Sequence, residues 1–186
     1  MKTIFLSGSR NIKSLNDEVR TRIQNMMSKS LQIVVGDANG ADKAFQKFLK
    51  DTSYKDVVVF CSGSNCRNNL GKWKTQNIFV DPKLKGRDFY TQKDKEMAGY
   101  ADCGLILWDG KSVGSISNVF ELLKNNKYAV VYFSPEKKFY NIKSLEDAQN
   151  LLKKCDEESM GSIQKKINLS SIVKSLELKQ QDAFAF

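Results

Sequence analysis

The sequence predicts an α/β fold: a Rossmann-like, mostly parallel sheet with helices on both faces, plus a C-terminal helical extension. Two observations predict it. Short, nearly unbroken aliphatic runs alternate with amphipathic stretches over the first 133 residues, the pattern of strands covered on both faces and joined by helical crossovers. Three of the runs end in glycine-bearing turns that pass directly into a helix start.

Taken in order, residues 3–7 read as a buried strand followed by Gly8-Ser9-Arg10. Ser14-Leu15-Asn16-Asp17 reads as a capping box, and Leu15, Val19, Ile23, Met26 and Met27 share one helical face. Residues 31–35 form the second strand, ending in Gly36-Asp37-Ala38-Asn39-Gly40-Ala41-Asp42. Ala41, Ala44, Phe45, Phe48 and Leu49 then make an apolar helical stripe. Residues 57–60 are the third strand. The stretch 62–87 is irregular, holding Gly63, Gly71, Pro82 and Gly86 with a short strand at 78–80, and such a stretch inside a compact domain reads as a functional lid or flap. A helix over 90–100 precedes the strand at Leu105-Ile106-Leu107, and residues 129–133 supply another. Beyond Ser134-Pro135, Ser144-Leu145-Glu146-Asp147 caps a short helix to Lys154, and Ile163, Ile167, Ile172, Val173 and Leu176 continue an apolar pattern. The expected organisation is a nucleotide-binding domain over 1–135, a helical extension over 136–178 and a flexible tail over 179–186, with a sheet of about five to seven strands.

Composition narrows the chemistry. The 186 residues, 41% hydrophobic and 27% charged, fit one globular domain. There is no histidine. Imidazole bases, His-dependent triads and His-ligated zinc are therefore excluded, and no metal site is expected. Acid–base work falls to carboxylates, lysine, tyrosine or the substrate itself. Cys61, Cys66, Cys103 and Cys155 match no zinc-ribbon or redox-pair spacing and are expected to be buried reduced thiols. Ile4-Phe5-Leu6 is too short an apolar run for a signal peptide, and no segment reaches membrane-spanning length, so a soluble cytoplasmic protein with no membrane contact is expected. The net charge of +9 fits either plain solubility or a polyanionic partner, but its lysines are spread along the chain and form no dedicated nucleic-acid arm.

The three turns supply the candidate ligand residues, because free amides and the positive end of a helix converge on an anion at a strand-to-helix turn. Gly8, Ser9 and Arg10 would hold one phosphate; otherwise Gly8 only makes the turn and Arg10 is solvated. Gly36, Asp37, Asn39, Gly40 and Asp42 would form the second element, with Asp37 or Asp42 on ribose hydroxyls and a helix start at Gly40; otherwise Asp37 or Asn39 only caps the helix. In Trp108-Asp109-Gly110-Lys111-Ser112-Val113-Gly114-Ser115-Ile116-Ser117-Asn118, the ligand residues would be Asp109, Gly110, Lys111, Gly114 and Ser115. There Gly110, Gly114 and Ser115 would take a second phosphate, and Asn118 would supply an orienting amide.

In combination and order these motifs resemble the SLOG superfamily of Rossmann-like proteins, in its YspA and YpsA-like branch. The resemblance implies binding of a nucleotide or nucleotide-derived signal such as an ADP-ribose-like molecule, without a required cofactor and without necessary catalysis. It also implies homo-oligomerisation and a setting in phage defence, where several members act as sensors. Relatives within the superfamily suggest two alternatives. One is N-glycosidic hydrolysis or transfer, in the manner of nucleoside-monophosphate phosphoribohydrolases. The other is nucleic-acid binding, in the manner of the DNA-processing protein that loads recombinase on single strands. The hydrolytic relatives carry a glutamate just after the last glycine turn; here Ile116, Ser117 and Asn118 follow Gly114-Ser115, leaving Asp109 or Glu121 as the catalytic carboxylate of that alternative. Where the group tends to have Arg-Asn before the fourth strand, this chain has Lys93-Asp94, which keeps the charge and loses the bidentate fork. Finally, Phe184 and Phe186 at the C-terminus resemble clamp-binding peptides of phage DNA polymerases, implying a replication partner, the sliding clamp; the alternative is a frayed tail.

Overall fold

The computed structural model describes residues 2–183, with side chains described through residue 178. Seven strands form one sheet: β1 (Thr3–Gly8), β2 (Gln32–Gly36), β3 (Val57–Ser62), β4 (Lys74–Ile78), β5 (Cys103–Trp108), β6 (Tyr128–Phe133) and β7 (Lys138–Ile142). Their spatial order is β4-β3-β2-β1-β5-β6-β7, with every pairing parallel except β6 with β7. The helices are α1 (Asp17–Ser28), α2 (Ala41–Asp51), α3 (Gly86–Tyr100), α4 (Val113–Lys124), α5 (Leu145–Leu152), α6 (Glu157–Ile167) and α7 (Leu169–Ala183). This is the Rossmann-like α/β architecture that the alternation of runs predicts.

Period two in the strands divides the core. Ile4 and Leu6 of β1, Ile33 and Val35 of β2, and Leu105 and Leu107 of β5 face one side, where Val19 and Ile23 of α1 and Phe45 and Leu49 of α2 cover them. Phe5, Val34 and Ile106 face the other, against Met97 of α3 and Ile116, Val119 and Phe120 of α4. Leu151 of α5, Ile163 of α6 and Leu169 and Leu176 of α7 extend that second core, so the C-terminal helices close the sheet domain over α4.

Several local expectations are corrected. The cap of α1 is Asn16, whose side chain accepts from the Val19 amide at 3.0 Å, and not Ser14. The capping box expected at Ser144 does form, with Asp147 as its partner. The short strand expected at 78–80 lies earlier, as β4, whose residues are polar and mostly exposed at the sheet edge and so show no apolar run. The stretch after Pro135 begins with β7, which a hairpin turn, with Lys137 at φ 52°, folds back on β6. As an edge strand only partly buried, with Lys138 and Asn141 exposed, β7 lacks the aliphatic signature of its neighbours, and the sheet therefore runs past the boundary expected at residue 135. Cys61 and Cys66 are joined in a disulfide; Cys103 and Cys155 are free. The expectation of four reduced thiols fails because the tight turn after β3 returns the chain to its own strand end. The backbone of α7 continues to Ala183, while the side chains of the expected tail, Phe184 and Phe186 included, lie outside the described residues. Among the described residues no helix is long and apolar enough to cross a membrane.

Two glycines of the first and third turns differ in kind. A Cβ on Gly8 would stand 2.6 Å from the Leu107 carbonyl oxygen and 2.8 Å from the Ala41 Cβ, whereas one on Gly114 would meet nothing within 4 Å. Gly8→Ala is therefore expected to cost about 1–3 kcal/mol through overpacking, and Gly114→Ala to stay within about 0.5 kcal/mol of the parent. Urea unfolding of the two variants checks this; equal stabilities would contradict the packing.

Candidate functional site

In the strand order β2-β1-β5 the chain reverses direction across the sheet, and an open α/β sheet binds ligands in the crevice that this reversal leaves beyond the strand ends. Such a crevice is present here, with a volume of about 480 Å³. Its walls come from the turn after β1, the start of α4, the first turns of α3 and the loop after β3.

Asp109 joins the turn after β1 to the turn after β5. Its Oδ2 accepts from Ser9 Oγ at 2.7 Å and Asn11 Nδ2 at 2.9 Å, and its Oδ1 from the amides of Ser112 at 2.7 Å and Lys111 at 3.2 Å. Burial acts to raise its pKa, but these hydrogen bonds outweigh burial and hold the carboxyl below its usual value. The Ser9 amide is itself spent on the Leu107 carbonyl at 2.9 Å. Among the described residues, the amides of Arg10, Val113 and Gly114 have no acceptor. Ser112 caps α4 by accepting from the Ser115 amide, and Asn118 donates to Ser7 Oγ at 2.8 Å on the cleft floor.

The opposite wall is ionic. Asp37 is buried, and Arg67 takes both of its oxygens: the Arg67 amide at 3.0 Å and Nε at 3.1 Å on Oδ2, and a terminal nitrogen at 2.5 Å on Oδ1. Burial would raise the Asp37 pKa, but the Arg67 hydrogen bonds and charge prevail and lower it. The same guanidinium lies 4.0 Å from the centre of the Tyr90 ring, within cation–π range. Behind it, Lys93 donates to Asp94 at 2.5 Å and neighbours Asp42. Burial opposes the Lys93 charge, and the two carboxylates more than offset it, so the ammonium persists. Burial pushes the Asp42 carboxyl up to about 6 against the pull of Lys93. Gly36 leaves the room for this group: a Cβ there would fall 2.3 Å from Asp42 Oδ2 and 2.7 Å from Lys93 Nζ.

Of the sequence-predicted residues, Gly8, Ser9, Arg10, Asp42, Lys111, Gly114, Ser115 and Asn118 line the cleft. Gly36, Asp37, Asp109 and Gly110 stand outside its lining, and Gly110, at φ +78°, packs near the Phe133 ring. Asn39 and Gly40 line an adjoining groove of about 420 Å³, which Arg10 shares with the cleft. Glu121 is paired with Lys124 at 2.8 Å and lies outside the cleft. Sequence reasoning missed Asn11, Arg67, Arg87 and Tyr90, all of which line the cleft. Arg67 lies within the stretch 62–87 that was read as a flap. Arg87 and Tyr90 escaped because α3 begins at Gly86, four residues before the expected start.

The Asp42 carboxyl has a pH signature. Its folded pKa is raised, so the folded protein holds its proton between the ordinary value of 3.8 and about 6, where the unfolded chain has released it. The contribution of Asp42 to stability therefore falls as pH rises through that window. The unfolding free energy of the wild type relative to Asp42→Asn is expected to drop by up to about 3 kcal/mol from the acid to the neutral side. Denaturation curves across the window test this, and a pH-independent difference would contradict it.

No protein-family model and no curated protein matches this chain. Among solved structures, it is similar to DNA processing protein A from Helicobacter pylori, a protein described for a unique mode of single-stranded DNA binding. The identity is 15%, the TM-score is 0.54, and the match covers 70% of this chain and 64% of that one. The chain thus spans less than two thirds of that protein's chain, and the likeness is one of fold.

Proposed function

We propose that the cleft binds a nucleotide or nucleotide-derived signal, with an ADP-ribose-like molecule or a mononucleotide as its class, in the manner of SLOG-type proteins. The observation that carries this reading is the meeting of acceptor-less amides and arginines in one crevice. The Arg10 amide and guanidinium serve one phosphate. The Gly114 amide at the start of α4, with Lys111 on the same lining, serves a second. Asp42, rather than the Arg67-bound Asp37, is the carboxyl available to ribose hydroxyls, and Asn118 orients from the floor. A volume of about 480 Å³ suits a ligand of this size.

The binding reading requires no turnover. The two carboxylates considered for glycosidic hydrolysis are engaged elsewhere, Asp109 by four donors and Glu121 by Lys124, so neither supports that alternative.

A second reading has its own observation. The adjoining groove is lined by Arg10, Lys13, Lys43 and Lys47, the last paired with Asp51 at 2.5 Å, and no acidic residue lines it. Among the described residues Arg10, Lys13 and Lys43 form no ion pair. Such a track suits the backbone of a single-stranded nucleic acid whose end nucleotide enters the cleft, and the fold likeness to a single-stranded-DNA-binding protein supports it.

Gly114→Val is expected to fold normally and to lose at least about tenfold in affinity for ADP-ribose or AMP, because its branch enters the space that the phosphate needs. Calorimetric titration decides this, and undiminished affinity in a well-folded variant would remove the phosphate site from α4. For the second reading, the joint variant Lys13→Glu, Lys43→Glu should weaken binding of an oligothymidylate and flatten its salt dependence by about two counterions, while leaving mononucleotide affinity unchanged. Fluorescence anisotropy at several salt concentrations measures both. An unaltered salt slope would exclude the groove.

A further inference from the structure

The loop after β3 contains a bond that nucleotide binding alone does not call for. Cys61, buried near the end of β3, is bonded to Cys66 five residues on, with a Cα–Cα distance of 5.1 Å. Cys66 is half-buried and Cys61 fully buried, so Cys66 is the more accessible of the two. The next residue is Arg67, the residue that clasps Asp37 and covers Tyr90. The run continues to grip the cleft floor. Asn68 Nδ2 donates to the Asp37 carbonyl at 2.7 Å, Gln46 Nε2 bridges the carbonyls of Gly36 at 2.8 Å and Asn68 at 3.1 Å, and the Leu70 amide donates to Gln46 Oε1 at 2.9 Å. Between the two cysteines, Ser62 still pairs with Ile78 in the β3–β4 ladder, the Gly63 amide donates to the Ile78 carbonyl at 2.9 Å and Asn77 Nδ2 donates to the Ser64 carbonyl at 2.7 Å, all to the edge strand β4. Ser64 and Asn65 are exposed. The disulfide is thus the covalent anchor that fixes where the Arg67 segment begins.

We propose that Cys61–Cys66 is a thiol–disulfide exchange site whose state sets the position of Arg67 across the cleft and, resting on the nucleotide reading above, the affinity of the cleft for its ligand. The reaction partner is a dithiol. Its thiolate attacks Cys66 Sγ, the Cys61–Cys66 bond breaks, and Cys61 leaves as a thiolate and takes up a proton. The second sulfur of the dithiol then attacks the first. This releases the Cys66 thiolate, which is protonated in turn, and closes the partner's own disulfide. Two electrons and two protons pass from the dithiol to the cystine, and an oxidised dithiol runs the exchange backwards. Cys103, buried, and Cys155, whose thiol donates to the Gly110 carbonyl at 3.2 Å, take no part. With the ring open, residues 62–66 gain backbone freedom, and the Arg67 clasp on Asp37 must bear the ordering cost that the covalent bond had removed.

The full chain is prepared in two states, one treated with dithiothreitol and one with its oxidised form, and three measurements are made. In the first, reduction under native conditions followed by iodoacetamide labelling in denaturant and mass spectrometry should show two additional adducts, at Cys61 and Cys66, in the reduced state alone. A bond that survives native reduction, or thiols that do not re-form it, would overturn the proposal. In the second, hydrogen exchange without ligand should be about tenfold faster or more over residues 62–73 in the reduced state, with β1 and β5 unchanged; equal exchange would overturn the proposal. In the third, ADP-ribose and AMP titrations should show affinity about fivefold or more weaker in the reduced state. The double variant Cys61→Ser, Cys66→Ser should match the reduced state and ignore dithiothreitol. Equal affinities in two states that differ in exchange would overturn the link to the cleft. Should neither state bind either probe, the nucleotide reading fails, and labelling and exchange alone then decide the switch.

Discussion

The Asp109 carboxylate accepts from Ser9 and Asn11 on one turn and from the Lys111 and Ser112 amides on another, and the form of the cleft follows from this clasp. Parallel strands β1 and β5 bring the two turns side by side, but adjacency alone does not set their distance. Four hydrogen bonds to one charged acceptor do, and charge-assisted bonds are the stronger kind. The Ser9 side chain becomes part of the frame, while Arg10 is left projecting over the opening and the first amides of α4 are left without partners. The donors spent on Asp109 are spent so that others stay free.

The opposite wall obeys a different constraint. Taking a lysine and two carboxyls out of water is costly unless each is answered. Lys93 sits beside Asp94 and Asp42, and Asp37 is answered by Arg67. Four of these five groups come from α3, from the loop after β3 and from the start of α2, and the last two elements are also joined through Gln46, which donates to the Asn68 carbonyl and accepts from the Leu70 amide. The ionic wall thereby ties the irregular stretch to the doubly wound core, and Gly36 is glycine because the Asp42 and Lys93 termini fill the space a side chain would need.

The division between what was readable in the sequence and what was not has a physical basis. Strands buried on both faces announce themselves through unbroken aliphatic runs, so β1, β2, β3, β5 and β6 and the helices facing them were legible. The edge strands β4 and β7 were not: β4 is mostly polar and exposed, and β7 interrupts its Phe139, Tyr140 and Ile142 with Asn141 after Lys138, so neither carries such a run. Local chemistry made the glycine turns visible, and the structure gathers most of their residues in one crevice. What stayed hidden depends on distant contacts. Asp37 looked free for ribose because its partner Arg67 is 30 positions away in the chain, and Asp109 looked like a catalytic carboxylate because Ser9 is 100 positions away. The disulfide was hidden for the opposite reason: a spacing of five is too short for most frameworks, and only the return of the loop onto its own strand end makes it natural.

The packing of the C-terminal helices over α4 has a bearing on the protein's synthesis. α4 supplies Gly114, Ser115 and Asn118 to the cleft, yet its outer face is covered by Ile163, Leu169 and Leu176, which leave the ribosome after every residue that lines the cleft. Because domains take shape as the chain emerges from its N-terminus, the β1 turn and the α2 groove are complete in a nascent chain whose α4 is still uncovered. The crevice is therefore consolidated only after residues 163–176 have emerged and packed on α4. A truncated or stalled product would retain the basic groove at Arg10, Lys13 and Lys43 without a consolidated cleft beside it.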